Sequence, residues 1–117
     1  MKIRAALAAL AVSATIMSGA AAPAHAETTW PCGHFELCTY TVRTAPLYRY
    51  NDARGTINYY LPRHTVVYID CWIGGSGSNG EYIVMYSASA NGYGAGWVKG
   101  ADVDTGHDPN PNVGFCS

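Results

Sequence analysis

"TVVYIDCW", residues 65–72, is the stretch on which the fold turns. Its residues alternate with period two: Thr65, Val67, Ile69 and Cys71 share one face, while Val66, Tyr68, Asp70 and Trp72 share the other. Burying Asp70 without a partner would be costly. The first set therefore faces the core, and the second, with Tyr68 and Trp72, faces out.

Outward from this strand the same pattern recurs. "YTVR" (40–43), "GTINYYL" (55–61), "EYIVMYS" (81–87) and "GWVK" (96–99) carry β-branched and aromatic residues and read as further strands. Between them, "LPRHT" (61–65) is a turn, "GGSGSNG" (74–80) a flexible hairpin loop and "ASANGYG" (88–94) a second turn region with Asn-Gly. The segment "APLYRYNDARG" (45–55) reads as a loop. Gly94 and Gly96 bend the last strand, so Val98 points inward and Trp97 covers the bend at the rim, half exposed. The tail "DTGHDPNPNVGFC" (104–116) holds Pro109 and Pro111 and reads as extended and irregular. No stretch has helical period, which predicts an all-β fold, a sandwich or a small barrel of about five to six short strands.

The N-terminus is of another kind. Lys2 and Arg4 precede the apolar run "AALAALAVSATIM", and "AHA" (24–26) is a small-x-small cleavage site. Residues 1–26 thus read as a secretory signal peptide cut after Ala26, the apolar run being short for a span of about 20 residues. Beyond it, five basic residues stand against eight acidic ones, a net charge of −3 with neutral histidines. That balance argues against a nucleic-acid partner and against an anionic membrane surface.

Four cysteines in an exported chain point to two disulfides. Gly33 favours a small ring closed by Cys32 and Cys38, which leaves Cys71 with Cys116; the two other connectivities stay open. The chain-entropy model assigns about 4 kcal/mol to the long loop and about 2 kcal/mol to the ring.

Three segments in order, "GTINYYLPRHTVVYIDC", "NGEYIVMY" and the closing "GWV", resemble the bacterial Src-homology-3-like domain family, in the small exported form found in Gram-positive bacteria. The resemblance covers about residues 42–103 and implies a small barrel that binds cell-wall peptides or glycan outside the cytoplasm. The expected organisation is a signal peptide at 1–26, an N-terminal segment with a local disulfide at 27–39, the barrel at 40–103 and an extended tail tied back by a disulfide at 104–117. The chain departs from the family in its opening segment, at His64, where a turn glycine is common, and at Asp102, where an aromatic often follows.

Chemistry of other kinds finds little footing. Cys32, Cys38 and His34 could ligate a metal, but exported thiols oxidise. "DVDTGHD" (102–108) spaces Asp102, Asp104 and Asp108 like the start of a calcium loop, without that loop's glycine and final glutamate. His34, His64 and His107 are scattered, Glu36 and Glu81 have no evident partners, and no nucleophile elbow is present, so neither an enzyme nor a cofactor is expected. The notable composition is aromatic, with nine tyrosines, all beyond the signal peptide. Tyr48, Tyr50, Tyr68, Trp72 and Trp97 are the candidates for an exposed ligand-binding set, suited to sugar rings or extended peptides. The same aromatics could equally shield a small barrel. The expected protein is a secreted, monomeric binding module; the alternative is an exported interaction factor or protease inhibitor presenting the "GGSGSNG" loop to another protein.

Overall fold

β-strands account for the regular structure in the computed structural model, which describes residues 28–117; the expected signal peptide and its cleavage site at Ala26 lie outside them. No helix among the described residues is long and apolar enough to cross a membrane. Seven strands follow in order: β1 (Thr29–Cys32), β2 (Phe35–Tyr40), β3 (Ala45–Tyr48), β4 (Ile57–Leu61), β5 (Val66–Ser76), β6 (Tyr82–Ala90) and β7 (Gly94–Lys99). They form one antiparallel sheet in the order β1-β2-β5-β6-β7-β3-β4. The expected strand count was too low for two reasons. The N-terminal segment is itself a hairpin, β1–β2, closed at Gly33 in a left-handed conformation with φ 77°. The segment read as a loop contains β3.

The 11-residue β5 is the spine. One edge pairs with β6 from Tyr68 to Ser76, and the other is covered in three pieces. β2 takes Val66 to Ile69. The tail takes Trp72, whose N–H donates to the Gly114 carbonyl at 3.0 Å and whose carbonyl accepts the Cys116 N–H at 2.8 Å. Residues 51–53 take Ser76, through Ala53 N–H to the Ser76 carbonyl at 2.8 Å. A backbone edge left bare would invite another chain; this one is satisfied internally. The "GGSGSNG" loop is correspondingly shorter than expected. Gly74 to Ser76 belong to β5, and the turn is Gly77–Gly80, closed by Gly77 N–H to the Glu81 carbonyl at 2.7 Å.

Leu37, Leu47, Leu61, Val67, Ile69, Tyr86 and Val98 belong to a single buried cluster, although they come from six strands. A single sheet gathers residues from every strand between β2 and the end strand β4 into one core only by curling. Gly96 permits the close approach of β3 to β7: a Cβ there would lie 2.6 Å from the Tyr48 carbonyl oxygen and 2.9 Å from Leu47 Cγ. After β7, a 3-10 turn at Gly100–Asp102 returns the chain to β2, where Val103 forms an isolated bridge with Thr41.

The alternation in residues 65–72 holds as far as Asp70 and then inverts. Ile69 pairs with Ala88 and Cys71 with Ser87, so Asp70 is an extra, exposed residue in β5. A bulge of one residue flips every later side chain to the opposite face. Trp72 therefore pairs with Tyr86 and packs against the core instead of facing out. The inward facing of Val67, Ile69 and Val98, each 0% exposed, agrees with the sequence pattern.

The tail has no strand, yet it is part of the core. Val113 joins the apolar cluster, and Thr105 and Asn110 are buried. The Tyr86 hydroxyl donates to Asp108 Oδ1 at 2.7 Å and accepts the Asn110 N–H at 2.9 Å. Cys32–Cys38 and Cys71–Cys116 are both disulfide-bonded, the second tying tail to spine. Two such bonds in so small a unit are compatible with an oxidising compartment.

Candidate functional site

Register alone assembles an aromatic belt on the outer face of the sheet. β3 turns Ala45 and Leu47 inward, leaving Pro46 and Tyr48 on the outside. Tyr60 on β4 lies opposite Pro46, and Tyr48 lies opposite Trp97 on β7. Trp97 in turn lies opposite Ser87 on β6. One row further, Ser89 is flanked by Ala95 and Tyr68. Tyr60, Tyr48 and Trp97 thus stand beside a floor of small side chains, Ser87, Ser89 and Ala95, with Tyr68 at its far side. From ordinary strand spacing, Tyr68 and Trp97 are about 12 Å apart at their Cα atoms.

The five expected residues divide. Trp97 and Tyr68 are half-buried on this face, as the pattern required. Tyr68 is fixed by Phe35, with ring centroids 5.5 Å apart, and its hydroxyl accepts the Asn91 side-chain N–H at 3.1 Å. Tyr48 was expected to be exposed but is only 5% so. It lies in a strand, not a loop, and its neighbours cover it. Burial first, then the nearby Asp102 carboxylate and Tyr60 hydroxyl, push its phenol above the usual range. Trp72 leaves the set, because the Asp70 bulge turns it to the core and Phe115 closes over it at 5.0 Å. Tyr50 is 60% exposed but sits apart in the loop after β3, with the Arg49 guanidinium over its ring. Tyr60, also 60% exposed, was missed. The signal was present in "INYYL", where Tyr60 alternates with the buried Leu61.

One end of the belt is charged. Asp102 is 3% exposed; its Oδ1 accepts from the Arg43 guanidinium at 2.9 Å, and Lys99 Nζ lies 4.0 Å from its Oδ2. Arg43 also donates to the Ala101 carbonyl, pinning the 3-10 turn. The three aspartates of "DVDTGHD" do not converge. Asp102 faces Arg43 and Lys99, Asp104 Oδ2 accepts the Thr28 N–H at 3.1 Å, and Asp108 accepts from Tyr86 and Thr105. Among the described residues no group of three or more His, Cys, Asp or Glu could hold a metal ion.

Flat rings beside small hydroxyl-bearing residues offer stacking surfaces and hydrogen-bond partners without enclosing a ligand. Such a surface suits an extended chain or a run of sugar rings better than a compact small molecule. No protein-family model, no curated protein and no solved structure matches this chain.

Proposed function

We propose that this chain is an exported, non-catalytic binding module of the Src-homology-3-like type, whose outer-face belt takes an extended peptide or glycan of the cell wall. The observation that carries the reading is the placement of the exposed Tyr60 and the half-buried Trp97 on one outer face, joined by the buried Tyr48 beneath them and flanked by Ser87 and Ser89. The barrel assignment draws support from the 3-10 turn at Gly100–Asp102 and the Thr41–Val103 bridge that follows it. Export draws support from the two disulfides. The rival reading, an inhibitor presenting a long flexible loop, loses weight because that loop is the short turn Gly77–Gly80.

A pull-down on purified peptidoglycan, run beside a screen of secreted proteases, tests the reading. Retention on the wall without inhibition is the expected result. Inhibition of a protease without wall retention would replace this function with the rival one.

A further inference from the structure

A second surface, beyond the charged end of the belt, combines a cleft, an unpaired cation and a strained histidine. His64 is the only non-glycine residue among the described ones with positive φ, at 68°. That left-handed conformation disfavours any side chain bearing a Cβ, and glycine adopts it freely. The turn around it is held by other groups. The His64 N–H donates to the Thr41 carbonyl at 3.0 Å, while the Thr41 hydroxyl donates to the Pro62 carbonyl at 2.7 Å and accepts the Thr65 N–H at 2.9 Å. None of these bonds uses the imidazole, so the fold by itself would be served by glycine. Residues kept in strained conformations concentrate at ligand clamps.

The imidazole lines a cleft of about 500 Å³ with Tyr40, Val42, Arg63 and Asp104. Its ring lies 6.2 Å from that of Tyr40, which in turn packs 5.0 Å from Trp30, giving the cleft an aromatic wall. Arg63 is exposed and makes no ion pair among the described residues, whereas Arg43 and Arg54 are each paired with an aspartate. Asp104 accepts the Thr28 N–H through Oδ2. We infer that this cleft binds the terminal carboxylate of a short peptide. The Arg63 guanidinium and the His64 ring N–H donate to the carboxylate, Asp104 accepts the peptide's last amide N–H, and Tyr40 packs on its side chain. A guanidinium fork matches a carboxylate in charge and geometry.

The test is a ¹H–¹⁵N NMR titration with N-acetyl-alanyl-alanine and with the same peptide carrying a C-terminal amide. The acid should shift the amides of Tyr40, Val42, Arg63, His64 and Asp104, and the amide form should bind about tenfold or more weakly, as loss of a charge-assisted pair requires. His64→Gly should keep the fold, with a melting temperature no lower than wild type, and weaken the acid about fivefold. Arg63→Gln should abolish the preference for acid over amide, and Arg54→Gln should change nothing. Equal binding of acid and amide would overturn the proposal. So would wild-type affinity in His64→Gly, or no shift at the cleft by about 20 mM peptide, a concentration that would detect even millimolar binding.

Discussion

Replacing Tyr86 with phenylalanine removes one oxygen from the centre of the molecule. The ring stays, so the packing of this fully buried residue is kept and no cavity of consequence opens. Two hydrogen bonds go, and they are unequal. The Asn110 N–H, in a residue 3% exposed, loses its acceptor and has no route to water. Leaving a buried donor unsatisfied costs about 1–3 kcal/mol. Asp108 loses the phenol but keeps the Thr105 hydroxyl at 2.5 Å and lies at the surface, so water replaces part of the loss, which comes to about 1 kcal/mol. The sum is about 2–4 kcal/mol, a fall of about 10–25 °C in Tm for a domain of this size. Denaturant and thermal melting measure it, and hydrogen exchange localises it. The Asn110 amide should exchange faster than the fall in global stability explains, while the β6–β7 amides should follow global unfolding. A change below about 0.5 kcal/mol, the level of a surface substitution, would refute the idea that the tail is part of the core through Tyr86.

The same phenol fixes an alkaline limit. Burial first, and then the hydrogen bond to Asp108, push Tyr86 far above its ordinary value of 10.0, so the folded state holds a proton that the unfolded chain releases. Its contribution is fully present below pH 10.0 and is lost as pH rises from there toward the folded value; Tyr86→Phe should flatten that part of the stability profile. Trp97→Ala, at a half-buried position, should cost less than the roughly 3–5 kcal/mol of a fully buried aromatic. Val98→Asp, at 0% exposure, should cost more than about 4 kcal/mol. Thermal melting compares the two, and the reverse order would mean that β7 faces the other way. Cys116→Ser, with Cys71→Ser, should lower stability by about 4 kcal/mol on the chain-entropy account, and loss of Cys32–Cys38 by about 2 kcal/mol. Denaturant titration of the two double variants checks that ranking.

Where local pattern and tertiary structure agree, the sequence was a sufficient guide. Period two placed Val67, Ile69 and Val98 inward and Trp97 at the rim, because each strand buries one face against one core. Both disulfides were legible because Gly33 let a small ring close and only one pair then remained. The failures have local causes. A bulge leaves little trace in residue type, so Asp70 hid the inversion that turns Trp72 to the core. β3 is four residues long and contains Pro46, too short and too irregular for periodicity to register. Tyr48 followed that error, since its burial depends on Gly96 letting β3 cross β7, a contact between segments far apart in the chain. The belt was half visible as a result. Trp97, Tyr68 and Tyr60 all alternate with buried neighbours in their own strands, but only the pairing of β4 with β3 and of β3 with β7 shows that Tyr60 and Trp97 share one face.

Co-sedimentation with purified peptidoglycan, using wild type, Tyr60→Ala and Trp97→Ala, addresses the belt most directly. Tyr60 is 60% exposed, so its removal should leave Tm within about 0.5 kcal/mol-equivalent of wild type and isolate binding from folding. Wild type should pellet with the wall, and each folded variant should lose about fivefold or more in affinity, as removal of one stacking ring implies. Pelleting of both folded variants at wild-type levels, or a wild-type protein that stays in the supernatant, would contradict the claim that this aromatic face is the binding surface.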